Sequence, residues 1–357
     1  MLKSKGLALP LKAITDFLSR FSLGVIHLSA CLVVTFTAAA FFGRFDWLCD
    51  VLSSFRAQYV IALAAACLFA FHRPLLLSLF ILALVVNLAD IACLYLPGTG
   101  AEPAGARLKV MSMNLEAINN KKYASAVQCI ESLDPDVISL QEVDQPFCDY
   151  LISHLPRYKY TKMLPDRLCA GVGIMSKFPI ESSAVHHFGS NFPMLVCRVK
   201  SCLGPLNFMV AHPLPPYGGQ FWHQQGLFAE GAGEICRTLK GTTILAGDFN
   251  ATPWSFRFHQ LQECARLTDS CQGFGLQPTW TTHCAALLIP IDHCLLSDNL
   301  VAVSRHICED VASDHYPLYL EIARAAGGPR YNISSSSTLT LPHRRQWRTK
   351  GASPSHS

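Results

Sequence analysis

Charge is scarce in this 357-residue chain: Asp, Glu, Lys and Arg supply 15% of it, against roughly 25% in an average soluble protein. Intrinsic disorder is thereby excluded for most of the length, because disorder needs low hydrophobicity and high charge. No internal repeat is evident. Among the 15 cysteines no CxxC pair or Cys/His cluster has zinc-finger spacing, which argues against a structural zinc site. A basic surplus is also missing where a nucleic-acid binder would need one. The net charge is +4, yet from Gly105 to Ala325 there are 17 Lys/Arg against 20 Asp/Glu, a balance of −3. The surplus sits elsewhere, with seven basic and five acidic residues up to Glu102, and five basic and no acidic residues from Ala326 on. The electrostatic argument for nucleic acid fails at its first step.

Apolar residues are abundant instead, at half the chain, and they crowd the front. Phe21 to Gly43 runs 23 residues without a formal charge, and Ala57 to His72 and Pro74 to Ala89 run 16 each. A bilayer core takes about 20 helical residues. The first run is long enough alone. The second is flanked by Arg56 and Arg73, which can snorkel to the interfaces, and the third continues past Asp90 to Leu96. A cleaved signal peptide ending near Ala38-Ala39-Ala40 is the alternative for the first run. That run exceeds a signal core, however, and two more follow it. Three spans are predicted, at 21–43, 57–72 and 74–96, with Asp90 read as a helix-end residue near the interface. Lys3, Lys5, Lys12 and Arg20 favour a cytoplasmic N-terminus, residues 1–20. Three spans then place everything after Leu96 outside. Eleven cysteines follow Cys93, and an oxidising exterior would require them to be paired or shielded. Cys197 and Cys202 are spaced for a hairpin disulfide.

Residues 97–106 are rich in Pro and Gly and read as a linker. Beyond them short apolar runs alternate with helical stretches. Strands are predicted over 108–115, 137–141, 171–175, 194–199, 206–211, 242–246, 291–296 and 316–322, and helices over 121–133, 221–239 and 255–265. This order suggests an α/β domain with two packed sheets, residues 107–325. Residues 326–357 read as a disordered basic tail.

Six short pieces at or just after predicted strands carry chemistry: Met113-Asn114-Leu115, Leu140-Gln141-Glu142-Val143, Ala211-His212-Pro213, Gly247-Asp248-Phe249-Asn250-Ala251, Ile291-Asp292-His293 and Ser313-Asp314-His315. Carboxylates and amides at strand ends converge on one rim of a sheet, where they build an oxygen-rich site for a hard cation such as Mg²⁺. Singly, each piece is more simply a turn, a cap or a surface pair; six in one order are harder to dismiss.

In these pieces the chain resembles the endonuclease/exonuclease/phosphatase superfamily, which includes pancreatic deoxyribonuclease, abasic-site endonucleases, inositol polyphosphate 5-phosphatases and neutral sphingomyelinases. Gly-Asp-Phe-Asn-Ala-Thr-Pro-Trp (247–254), Pro278-Thr279-Trp280 and Ile289-Pro290-Ile291-Asp292-His293 look closest to a bacterial branch with N-terminal spans. The resemblance implies a four-layer α/β sandwich, preceded here by about three transmembrane helices, and metal-dependent attack of water on a phosphoester. It implies Mg²⁺, with Mn²⁺ as the substitute, at Asn114, Glu142 and Asp314, with Glu142 the main ligand. It makes Asp248 the carboxylate that orients or activates water, and Asn250 the amide that holds the phosphate. Asp292 would fix the orientation of His315, which contacts the phosphate or exchanges a proton with it. His212 would complete a His-His arrangement, against a simple packing role beside Pro213. His293 is unassigned, and Trp280 reads as rim packing or substrate stacking. The physical logic expects a neutral His315. The expected protein is a multi-pass phosphoesterase of a bacterial inner membrane with a periplasmic catalytic domain. Its expected partners are the bilayer and a phosphoester substrate, with a lipid head group or small phosphoester favoured slightly. A nuclease on extracytoplasmic DNA or RNA is the alternative, disfavoured by charge, and a non-catalytic membrane scaffold is the second.

Overall fold

The computed structural model describes residues 8–98 and 102–326. Residues 1–7, the centre of the expected linker and the expected tail beyond 326 lie outside these. The chain opens with α1 (Ala8–Ala40), α2 (Trp47–Leu52), α3 (Arg56–Cys67) and α4 (Pro74–Ala92). Three stretches, Ala13–Ala40, Trp47–Cys67 and Pro74–Tyr95, are long and apolar enough to cross a membrane. Their outward faces present Phe17, Phe21, Leu28, Ile61, Leu75 and Leu82, all exposed. The first helix differs from expectation: it starts at Ala8, so it takes in much of the segment read as a cytoplasmic lead. At about 1.5 Å per residue, its 33 residues span roughly 50 Å.

Arg56 also departs from expectation. It is buried and does not snorkel. Its Nη2 meets Asp90 Oδ2 at 3.1 Å, and its Nη1 donates to Asn87 Oδ1 at 3.1 Å. Asn87 in turn donates to Thr37 Oγ1 at 2.9 Å. A buried guanidinium needs a counter-charge and hydrogen-bond acceptors, and this chain of contacts supplies both while joining α1, α3 and α4.

The domain that follows is a sandwich. Its elements are β1 (Pro103–Asn114), α5 (Tyr123–Leu133), β2 (Val137–Gln141), α6 (Gln145–His154), β3 (Tyr160–Leu164), β4 (Val172–Ser176), β5 (Ile180–His187), β6 (Pro193–Ser201), β7 (Gly204–Ala211), α7 (Gly219–Thr238), β8 (Thr242–Asp248), α8 (Phe256–Ala265), β9 (Thr268–Asp269), β10 (Asp292–Leu296), β11 (Leu300–Ile307) and β12 (Leu318–Ala325). The strands form two six-stranded sheets, ordered β11-β12-β1-β2-β4-β3 and β5-β6-β7-β8-β10-β9. Pairing is parallel for β1 with β2 and for β7 with β8, and antiparallel elsewhere. Alternate residues of each central strand face the other sheet, as the two-residue repeat requires. Leu108, Val110, Phe208, Val210, Ile244 and Ala246 fill that inner layer. The opposite faces pack on helices: Met111, Met113 and Ile138 with α5 and α6, and Met209 and Leu245 with α7 and α8. All fifteen cysteines are free thiols. The hairpin disulfide does not form, because Cys197 is buried between the sheets while Cys202 sits in the turn, its Sγ 3.3 Å from the Arg107 carbonyl.

The apolar helices and the sandwich are joined through Asp50. This buried carboxylate accepts from Trp222 Nε1 (2.7 Å), Ser255 Oγ (3.2 Å), and the backbone N–H groups of Phe256 (2.6 Å) and Arg257 (3.4 Å). It lies where the first N–H groups of α8 lack helical acceptors. Arg257 then stacks on Trp222, 3.5 Å from the ring centre. Stranding a buried donor costs about 1–3 kcal/mol. Asp50→Ala should therefore speed amide exchange at Phe256 and Arg257 by roughly 5- to 150-fold in the full-length protein, read by hydrogen–deuterium exchange, with exchange in β1 unchanged.

Candidate active site

The strand repeat that fills the core also builds the site. Asn114 continues the inner-face series of Leu108 and Val110, and Asp248 continues that of Ile244 and Ala246. His212 extends the series of Phe208 and Val210, while Asp292 precedes Cys294 and Leu296. Where the inter-sheet core ends, each strand therefore presents a polar side chain to the same rim. Local backbone features sharpen the turns. Gly247 is required because a Cβ there would collide with the Ala211 carbonyl of the parallel neighbour. Glu142 and Asn250 adopt left-handed φ values of 52° and 50° as their strands end.

Asn114 is the hub. Its Nδ2 donates to Glu142 Oε1 (3.0 Å) and Asp248 Oδ2 (3.1 Å), and lies 3.4 Å from His315 Nε2. Its Oδ1 accepts the Glu116 N–H at 3.1 Å, so the amide expected to bind metal faces the carboxylates with its NH₂ edge. His212 places Nδ1 2.9 Å from the Cys169 carbonyl. A carbonyl only accepts, so Nδ1 carries the proton and Nε2 faces Asp248 Oδ2 (3.5 Å) and Glu142 Oε1 (3.7 Å). A neutral imidazole would thus aim a lone pair at two carboxylates, an arrangement that favours a cation among them. Glu142, His212 and Asp248 form one group of metal-competent donors, and Asp248, Asp292 and His315 a second. Both hold two carboxylates, which suit a hard divalent ion, and only the first includes a residue that is not fully buried, Glu142.

His315 sits between acids, with Nδ1 2.8 Å from Asp292 Oδ2 and Nε2 3.6 Å from Asp248 Oδ2. Burial alone would lower its pKa, but Asp292 and Asp248 outweigh burial and push it up to about 10. The two flanking carboxylates thus favour the charged form of a ring expected to be neutral. Burial raises Asp248, against the pull of His315, to about 6. Burial also acts to raise Asp292, but the adjacent His315 holds it below the ordinary carboxylate range. Asp248 Oδ1 accepts the Asn250 N–H at 2.8 Å, and Asn250 Nδ2 donates to the Pro213 carbonyl at 3.0 Å. One N–H of that amide remains for a ligand.

Asp314 stands apart from both donor groups. Its Oδ2 accepts Trp280 Nε1 at 2.8 Å, its N–H donates to Glu116 Oε2 at 3.0 Å, and its Oδ1 is 3.8 Å from His315 Nε2. Trp280 is thus a rim residue that orients Asp314. His293 is structural: fully buried beside Phe258, it places Nε2 2.9 Å from the Ala251 carbonyl and Nδ1 3.5 Å from Asp269. Sequence reasoning missed Glu116, Cys169 and Tyr217. The first lies in a turn, and the second acts through its carbonyl. The Tyr217 hydroxyl is pushed up by partial burial and by the Asp314, Asp248 and Glu142 carboxylates. Only Ser313, which bonds the Asn114 carbonyl at 2.8 Å, carried a signal, in Ser-Asp-His. Asp292→Asn should drop the His315 pKa measurably in ¹⁵N imidazole spectra and lower turnover about 10²–10⁴-fold.

The sandwich is shared with several solved structures. Humanized D. rerio TDP2 superposes with TM-score 0.52 at 16% identity, over 61% of this chain and 99% of that chain. D. rerio TDP2 complexed with single strand DNA product gives 0.53 at 16%, over 61% and 99%. The human Nocturnin catalytic domain with bound sulfate gives 0.52 at 18%, over 61% and 94%. At such identities the likeness is one of fold. No curated protein sequence matches the chain. The sequence profile of the Endonuclease/Exonuclease/phosphatase family does match, over residues 111–315, which is more than half of the chain and takes in every strand end described above. The chain belongs to that family.

Proposed function

We propose that this protein is a membrane-anchored, metal-dependent phosphoesterase that directs water onto phosphorus. The convergence of Glu142, His212, Asp248, Asp292 and His315 around Asn114 carries this reading. Glu142 would hold the cation, with the His212 Nε2 lone pair as a second donor. A bound Mg²⁺ or Mn²⁺ supplies charge neutralisation at a non-bridging phosphate oxygen. The chain supplies the rest. Asp248, fixed through Oδ1 by the Asn250 N–H, orients the attacking water and takes its proton through Oδ2. The spare N–H of Asn250 holds the phosphate. His315 gives the phosphate a charge-assisted hydrogen bond and is the proton source for the leaving oxygen, while Asp292 keeps it aligned.

The three apolar helices support membrane anchoring, and the N-terminal basic residues support a cytoplasmic start with the domain in the periplasm of a bacterial inner membrane. The domain balance of −3 weighs against nucleic acid as the main substrate, since binders displace counterions with Lys and Arg. The intact carboxylate and histidine set weighs against a non-catalytic scaffold.

The test uses the purified full-length protein with bis(p-nitrophenyl) phosphate. Glu142→Gln should lose most activity and regain part at high Mg²⁺. Asp248→Asn should cut kcat about 10²–10⁴-fold with KM little changed. Full activity in EDTA would sink the mechanism. Orientation is tested separately by fusions placed after Ala325. Alkaline phosphatase there should be active and a fluorescent protein dark; the reverse pattern would put the domain in the cytoplasm.

A further inference from the structure

The catalytic rim and the bases of the apolar helices occupy one end of the molecule. Three chain segments that frame the site rest directly on those bases. The segment after His212 leads into α7, where a Cβ at Gly219 would lie 3.4 Å from Trp47 and where Trp222 bonds Asp50. The segment after Asp248 places Trp254 Nε1 3.2 Å from the Asp90 carbonyl and Thr252 Oγ1 3.5 Å from Ser54 Oγ. The segment ahead of Asp292 offers the Leu288 carbonyl to Gln58 Nε2 at 3.0 Å. Ser54 and Gln58 flank the start of α3, and Asp90 belongs to the last turn of α4. The site therefore lies within a side-chain layer or two of the level where the helices meet the bilayer surface.

The segments next to the site residues carry exposed apolar side chains. Leu168, beside Cys169, is 73% accessible, and Leu287, between Trp280 and Asp292, is 49%. Tyr217, in the segment between His212 and α7, is 75% accessible. On the turn between α1 and α2, Phe41, Phe42 and Phe45 are exposed as well. Aromatic and aliphatic side chains at the end of membrane helices suit the head-group boundary.

We infer that this site acts on a phosphoester at the head-group level of the bilayer that holds the helices, carried by a lipid whose chains stay in the membrane. The inference rests on the phosphoesterase reading above. Water attacks phosphorus, the bond from phosphorus to the leaving oxygen breaks, and the leaving alcohol and the phosphate product share the two protons of the water. An anchored enzyme and an anchored substrate meet in one plane, so their effective concentration is high without a basic track to gather a polyanion. The acidic balance of the domain is compatible with this substrate and unsuited to a long nucleic acid.

The test places the full-length protein with Mg²⁺ in nanodiscs containing phosphatidylcholine, phosphatidylglycerol or phosphatidate. Turnover is compared with that of the same head groups as soluble glycerophosphoesters, a single-stranded oligonucleotide and bis(p-nitrophenyl) phosphate. At least one nanodisc lipid should be hydrolysed about tenfold or more faster than its soluble counterpart. The double variant Leu168→Glu, Leu287→Glu should reduce that ratio about fivefold, with the bis(p-nitrophenyl) phosphate rate reporting its folding. Hydrolysis of the nitrophenyl ester with no lipid turnover, equal rates on soluble and nanodisc-borne head groups, or an unchanged ratio in the variant overturns the inference and leaves the phosphoesterase reading standing. An inert nitrophenyl ester, with every other substrate also inert, overturns that reading itself.

Discussion

Like charge crowded into a dry rim is the constraint around which this domain is built. Asp248 approaches both Glu142 and Asp292 where the two sheets stop packing, and Asp248 and Asp292 are almost wholly buried. Carboxylates so placed repel, and burial adds to the cost of their ionisation. Two groups relieve the conflict. The Asn114 amide bridges Glu142 and Asp248, and the His315 ring lies between Asp248 and Asp292, whereas His212 turns its Nε2 lone pair toward Glu142 and Asp248. What the protein leaves uncompensated is what a cation would neutralise.

The surroundings serve that arrangement. His293, gripped between Phe249, Phe258 and Asp269, holds the Ala251 carbonyl and so the turn that carries Asp248 and Asn250. Ser313 ties the His315 segment to the end of β1. Trp280 and Glu116 fix Asp314 from its side chain and its backbone, respectively. Each of these contacts links residues distant in the chain, which is why the rim is ordered by tertiary structure and not by any single loop.

The sequence disclosed what alternation and motif could carry. Every central strand was legible, because strands buried on both faces read as apolar runs. The strands that went unread, β3, β5, β9 and β11, are the four sheet edges. Ile180-Glu181-Ser182-Ser183-Ala184-Val185-His186-His187 keeps little apolar character because much of it faces water, and the pattern of an edge is set by its neighbour's hydrogen bonds. Helix α6 had its signals in Asp144 as N-cap and Pro146 in the first turn, which apolar spacing passes over. The site residues were readable because they sit at strand ends, in phase with the core. Their protonation was not, because the charge on His315 depends on distances to Asp248 and Asp292 that only the fold sets. The partnership of Arg56 with Asp90 was hidden for the same reason.

The Asp50 contact has a consequence for biosynthesis. Asp50 and the Phe256 N–H it receives are 206 residues apart, and the carboxylate belongs to the part of the chain made first. At about 5–20 residues per second, ribosomes need tens of seconds to deliver its partners. Until then the carboxylate lacks the four donors it holds in the finished fold, and α2 cannot take its final place against α7 and α8. The same acid that seats the start of α8 thus ties completion of the amino-terminal helices to the late synthesis of the sandwich.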